Sequence, residues 1–335
     1  MRVERVDGDE WARALPDSGA EVFHTPEALA VLEEHAPGEL VRLAAFKGDR
    51  PAALLPAFVG ERPVGRTVVS PPPSMNVPRL GPLLMPASPK QRKREKLNRE
   101  FVDSAIEQLR ADAPGTLFRL VCPPGYTDPR PFDWAGMSVE PTFTYTVETG
   151  DADADELLSG VSRSLRREIR DARDSEVSVA SEGPDAAREV HRATEARYHE
   201  QGRSYPMEWS YVRDLTRALA DVDRCRVYVA HEGGQFLTGV TVLYSDEAAY
   251  FWQGGTRAVH DGVSVNSLLH WRVIEDLVED PPRESVTRYD LMGANTERLC
   301  RYKGKFGGRL VPYYTVETAG PAMELAKRAY QLLGR

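Results

Sequence analysis

Two distant segments of this chain are nearly the same: Phe143-Thr-Tyr145-Thr-Val-Glu-Thr149 and Pro312-Tyr-Tyr314-Thr-Val-Glu-Thr318. Each alternates as a strand does, and each follows a glycine and a proline. A second pair agrees in kind. Residues 41–59 and 226–244 both read strand, glycine turn, strand, around Gly48 and around Gly233-Gly234. Such a chain is constrained to fold as two copies of one unit, and 335 residues are enough for two separate cores.

Each copy reads helix, helix, strand meander, helix, strand and final strand, an order that suits a mixed sheet with helices on its faces. In the first copy the helices fall at 24–35 and 89–110. In the second they fall at 185–199, 209–219 and 265–278, with strands at 226–232, 236–245, 249–254 and 285–291. The proline-rich stretch 70–78 is expected to be irregular, because proline removes a donor and restricts its neighbour. The acidic run 151–156 suits the start of a helix, where carboxylates meet the positive end of the dipole. These signals divide the chain into a first domain over 1–150, a second over 151–320 and a C-terminal helix over 321–335.

The helix expected from 157 to 173 places Leu158, Val161, Leu165, Ile169 and Ala172 on one face. Arg163, Arg166, Arg167 and Arg170 gather on the other. That face is either a solvated one, paired to Glu168, Asp171 and Asp174, or an anion site. A second basic run, Lys90-Gln-Arg-Lys-Arg-Glu-Lys96, reads as the exposed start of a long helix. No aromatic residue interleaves with it, which removes the case for base stacking.

A net charge of −8 argues against DNA or general nucleic-acid binding, because phosphate neutralisation needs a basic surface. No apolar run approaches the length needed to span a bilayer, and the N-terminus lacks the apolar core of a secretory signal. Cys122, Cys225 and Cys300 are far apart and read as buried thiols of a cytoplasmic protein. With no paired cysteines and no His/Cys cluster, no metal site is expected.

The chain closes on Asp290-Leu-Met-Gly293, a cationic helix and Tyr302-Lys303-Gly-Lys305-Phe306-Gly307. This ending resembles the FemAB-like branch of the GNAT superfamily, whose members commonly end in an Asp-(apolar)-x-Gly strand end followed by aromatic-Lys-x-x-Phe-Gly. Ser162, Arg166, Ile169 and Ala172 match a further Ser-x-x-x-Arg-x-x-Ile-x-x-Ala pattern of that branch. Tyr302 stands where phenylalanine is more usual. The resemblance implies an α/β protein of two tandem GNAT-like domains, each a mixed, mainly antiparallel sheet flanked by helices. It also implies an acyltransferase that moves an acyl or aminoacyl group onto an amine.

On that resemblance Arg166, and with it Arg170, would hold an anionic acceptor, and Lys303 would meet a phosphate or the developing oxyanion. Trp252, Gln253, Asn266, Tyr302 and Phe306 would line the site, and Asp290 and Tyr205 are the candidates for proton handling. The segment 198–206 that carries Tyr205 reads equally as a helix stop with a packed Tyr-Pro turn. His231, His260 and His270 show no catalytic pattern and read as structural. Residues 256–269 lack the usual Arg/Gln-x-x-Gly-x-Gly/Ala pyrophosphate signature. No long heptad hairpin lies between 179 and 226, where the tRNA-using relatives usually insert one. Acyl-CoA is therefore the favoured donor and aminoacyl-tRNA the alternative. A non-catalytic metabolite-binding module on the same scaffold is the rival from another class. The acceptor would be a small-molecule, lipid-linked or nucleotide-linked amine.

Overall fold

The computed structural model describes residues 1–61, 65–150, 152–254, 258–260, 262–321 and 323. Two compact units form. One holds Met1–Thr142 with the strand residues 312–318, and the other holds Phe143–Val311.

In the first unit β1 (Arg2–Arg5), α1 (Gly8–Ala14) and α2 (Pro26–His35) lead into the antiparallel strands β2 (Glu39–Lys47), β3 (Arg50–Glu61) and β4 (Arg66–Ser70). Helix α2 starts where the sequence dictates: Pro26 opens it, and the Thr25 hydroxyl accepts the Ala28 amide at 3.4 Å. The proline-rich stretch after β4 is irregular, with Pro71, Pro72, Met75 and Val77 buried. The two-residue β5 (Leu83–Leu84) and α3 (Gln91–Leu109) follow. The chain then returns as β6 (Thr116–Val121), parallel to β4, before α4 (Arg130–Trp134). Phe101, Val102, Ala105, Ile106 and Leu109 of α3 pack into a core with Leu43, Leu55 and Phe118.

The second unit repeats the plan. It contains the end of β7 (Met137–Glu148), α5 (Ala154–Gly160), α6 (Arg163–Arg173), β8 (Val177–Glu182), α7 (Ala187–Glu200) and α8 (Trp209–Ala220). The antiparallel meander β9 (Cys225–Glu232), β10 (Gln235–Tyr244) and β11 (Ala248–Gly254) comes next. A small hairpin of β12 (Val259–His260) and β13 (Val263–Ser264) precedes α9 (Val265–Glu279). Strand β14 (Arg288–Asp290) runs parallel to β11, and α10 (Glu297–Lys303) leads to β15 (Arg309–Thr318).

The near-repeated segments hold equivalent places in exchanged units. Val147, from the copy nearer the N-terminus, pairs antiparallel with Tyr289 of β14 in the second unit. Val316, from the later copy, pairs antiparallel with Leu120 of β6 in the first. The first unit thus takes β7 up to Thr142 and β15 from Pro312, and the second takes the remainder of both strands. The helix expected over 321–335 lies outside the described residues except at 321 and 323.

The single helix expected over 157–173 is two helices. Asp153 caps α5 through the Glu156 amide at 2.7 Å, and Ser162 caps α6 through the Leu165 amide at 3.3 Å. The chain breaks between them because the Ser162 amide donates to the Lys305 carbonyl at 2.8 Å. Gly307, at φ 75°, passes so close to the Gly160 carbonyl that a Cβ there would sit 3.0 Å from it. The apolar face is otherwise as expected: Val161, Leu165, Ile169 and Ala172 are buried with Trp271, Ile274 and Leu277 of α9. Cys122 and Cys225 are buried, whereas Cys300 is only half-buried.

Candidate active site

Strands β11 and β14 pair over three positions, Ala248 with Arg288, Ala249 with Tyr289 and Tyr250 with Asp290, and β14 ends there. Beyond Tyr250, residues 251–254 of β11 continue with β10 on one side and no β14 partner on the other. A bulge inserts Trp252 as an extra residue, since Thr241 pairs with Gln253 and Val242 with Phe251. Bulges bend a strand and re-aim its side chains. A crevice at the carboxyl ends of neighbouring parallel strands is where open α/β sheets bind ligands.

Asp290 and Lys303 meet at the turn after β14. Met292 and Gly293 both have positive φ, 55° and 58°. Lys303 Nζ donates to the Met292 carbonyl and, at 3.0 Å, to that of Gly293. Asp290 Oδ1 accepts the Thr144 hydroxyl at 2.5 Å and the Met292 amide at 2.7 Å. A non-glycine residue held in the left-handed region costs of order 1–3 kcal/mol and persists only where its surroundings over-determine it. The lysine and the aspartate supply those surroundings here. Lys303 is 8% exposed, and burial lowers its pKa to about 8 despite the favourable charge of Asp290. Its ammonium thus grips backbone carbonyls, where the sequence reading expected it to meet a phosphate or an oxyanion.

Beside Lys303 lies an aromatic box. The His270 ring contacts Phe251 edge-on at 4.8 Å, Phe306 at 5.7 Å and Tyr302 at 6.3 Å, and its Nδ1 lies 2.8 Å from the Tyr289 hydroxyl. Burial, with the Lys303 charge nearby, lowers the His270 pKa to about 3, so the ring is neutral. Burial also pushes the Tyr302 hydroxyl up to about 12. Tyr302 and Phe306 therefore wall this box.

Gln253 and Tyr205 form a separate cluster. Gln253 Nε2 donates to the Tyr205 hydroxyl at 2.7 Å and lies 3.1 Å from His191 Nδ1. Tyr205 packs against Tyr198 and His191, whose ring also meets Trp209. Burial raises the Tyr205 pKa, which disfavours the phenolate and suits a hydrogen-bond donor better than a base. Burial lowers that of His191. Trp252 meets Tyr211 edge-on at 6.2 Å. Nothing in the local sequence marks His191 as a partner of Gln253, since they come from a helix and a strand far apart in the chain.

At the start of α9, Asn266 Oδ1 accepts the Ala258 amide at 3.0 Å, and the Val265 amide donates to the Ala258 carbonyl. The remaining first-turn amides of this helix are the donors that a pyrophosphate requires. Residues 255–257 and 261 of the preceding loop lie outside the described residues.

The arginine face of α6 stands over a concavity of about 970 Å³ lined by Arg163, Ser164, Arg166, Arg167, Glu168 and Arg170. Arg166 donates to the Ser159 carbonyl at 3.2 Å, which steadies it from α5. Arg167 pairs with Asp171 at 3.6 Å, while Arg163 and Arg170 have no ion-pair partner among the described residues. Glu168, expected among the acids pairing with that face, instead accepts Lys305 Nζ at 3.1 Å and the Ser267 hydroxyl at 2.7 Å. It ties α6 to α9 and to the turn after α10. The structure thus brings Asp290, Lys303, Tyr302 and Phe306 into one neighbourhood, Gln253 and Tyr205 into a second, and Arg166 and Arg170 onto a third.

Residues 159–304 match the family described as an Acetyltransferase (GNAT) domain. Solved structures with the same fold include FemX, at 11% identity with a TM-score of 0.70 over 100% of both chains. The C-terminal domain of a putative lysylphosphatidylglycerol synthetase from Agrobacterium fabrum aligns at 12% identity and TM-score 0.55, over 92% of this chain and 95% of that one. A tandem GNAT protein from the clavulanic acid biosynthesis pathway aligns at 14% identity and TM-score 0.52, over 96% and 99%. No curated protein sequence matches the chain. Over residues 159–304 the chain is thus similar to GNAT acetyltransferase domains. Its fold is that of FemX and of the tandem GNAT protein. Among the described residues no helix is long and apolar enough to cross a membrane, and no group of His, Cys, Asp or Glu could hold a metal ion.

Proposed function

We propose that the protein transfers an acyl group from acyl-CoA to the amine of an anionic acceptor in the second unit. The observation that carries this reading is the separation of β11 from β14 beyond Tyr250 and Asp290. It leaves one edge of 251–254 available for an extended, amide-bearing donor to add on as a strand does. The first-turn amides of α9 suit the donor's pyrophosphate. The α6 arginines suit an acceptor bearing phosphate, free or linked to a nucleotide or a lipid.

In the reaction the neutral acceptor nitrogen attacks the thioester carbonyl, the carbon–sulfur bond breaks, and the proton lost by nitrogen passes, through solvent or a base, to the departing thiolate, which leaves as CoA thiol. Lys303 and Asp290 serve that step by holding the Met292–Gly293 turn at the crevice. Tyr205, its hydroxyl already accepting from Gln253, keeps its own proton for donation. Arg166 and Arg170 set the acceptor's position, which is the largest lever on an entropy-limited bimolecular reaction.

Incubation with acetyl-CoA and phosphate-bearing amines, scored by free CoA and product mass, tests the reading. An N-acyl product from wild type, with a raised acceptor KM in Arg166→Ala, is the expected outcome. Absence of CoA release with every acceptor, together with transfer from aminoacyl-tRNA, would replace it with the tRNA-dependent reading. The FemX-like fold over the whole chain supports that second reading. The two short helices α7 and α8, where a long hairpin arm would stand, count against it.

A further inference from the structure

One turn beyond the basic run at the start of α3, the fold places an exposed aromatic residue between two arginines. Trp134, at the end of α4, is 58% exposed, the highest value among the exposed large apolar side chains. The Arg99 guanidinium lies over its ring at 5.9 Å and that of Arg130 at 5.5 Å. Arg92 lies on the same stripe of α3 as Glu95 and Arg99, one turn nearer the helix start.

Most acids of this region are already engaged, Asp133 beside Trp134 being the exposed exception. Glu95 and Asp128 pair with Arg130, Glu100 with Lys96 and Asp103 with Arg99. Lys90, Arg92, Lys93 and Arg94 are exposed, and among the described residues they have no ion-pair partner. These cations occupy the end of the helix where its dipole disfavours positive charge, and no acid stands in the first turn. An exposed indole adds apolar surface left in water. Arg92 shares the Arg99 and Trp134 side of α3, and Lys93 and Arg94 follow at about 100° and 200° around the helix.

We propose that this face of the first unit docks on an anionic lipid bilayer. A planar negative surface faces Arg92 directly and draws in the long side chains of Lys93 and Arg94 from the flanks, and an amphipathic tryptophan edged by arginines belongs at headgroup level. Single-stranded RNA would need an open aromatic face on which to stack, whereas the Trp134 ring already carries two guanidinium groups. The surface is independent of the acyl-transfer chemistry, since every residue in it belongs to the first unit.

Flotation with vesicles of phosphatidylcholine alone, or of phosphatidylcholine mixed with phosphatidylglycerol, tests the proposal on the full chain. Wild type is expected to float with the mixed vesicles only. Replacing Arg92, Lys93 and Arg94 together by Gln should weaken that binding about a hundredfold. Trp134→Ala should weaken it about tenfold. Circular dichroism melts identical to wild type exclude misfolding, since all four side chains are exposed. Failure of wild type to float with the mixed vesicles, or equal flotation of the triple variant, would overturn the proposal. So would a gel shift with bulk tRNA that the same substitutions abolish while flotation persists.

Discussion

Helices α3 and α6 both present a row of cations, yet they do so on opposite shapes. The arginines of α6 line a concavity of about 970 Å³, and one of them is steadied by the Ser159 carbonyl. Those of α3 spread around an exposed helix start, near an exposed indole. Charge alone therefore does not define a partner. A concave row of guanidinium groups can surround one small polyanion with directed bonds, whereas a convex row can only meet an extended surface.

The most direct way to break this contrast is to remove the concave row. Arg166→Ala with Arg170→Ala should raise KM for a phosphorylated amine about a thousandfold, as expected for two lost charge-assisted contacts. Vesicle flotation should be unchanged. A fall in kcat at constant KM would show that the row does not bind the acceptor.

Acid should distinguish the two units. Folding depresses the His270 pKa from 6.5 to about 3, so the unfolded chain binds a proton that the native one refuses. The stability this neutral ring contributes is complete above pH 6.5 and declines as pH falls toward 3, with about 3 kcal/mol gone by pH 4. Hydrogen exchange over that range should accelerate in α9, where His270 sits, ahead of α3. Equal acceleration in both helices would remove the distinction.

Lys303 titrates at the other end of the scale. Its pKa is depressed from 10.5 to about 8, so its buried charge weakens the fold below pH 8 and that cost is relieved as pH rises toward 10.5. Denaturant titrations should show wild type gaining about 2 kcal/mol on Lys303→Met across that window. At neutral pH the variant should lose activity with stability, because the Met292 and Gly293 carbonyls lose their shared donor. Full activity in a stable Lys303→Met protein would leave the turn without a part in catalysis.

The smallest effect is expected at Glu168→Gln. It loses the Lys305 pair, partly exposed on both sides, and should cost no more than about 1 kcal/mol in urea melts. A larger loss would mean that the α6 face depends on this tether for its position.

The sequence by itself determined the duplication, the helix and strand order and most element ends. Period and caps are local properties: Thr25, Ser162 and Thr296 each stop the chain from continuing as it was and start a helix. It also singled out Asp290, Gly293, Lys303 and Phe306, which lie close together along the chain. What only the tertiary structure decided was how those residues are used. Lys303 is held by carbonyls, Glu168 leaves the arginine row for Lys305, and His191 meets Gln253 across the fold. Arg99 of α3 acquires Trp134, and each repeated strand pairs within the other copy's unit. Pairing, burial and neighbouring charge arise between residues far apart in sequence, where no periodicity records them.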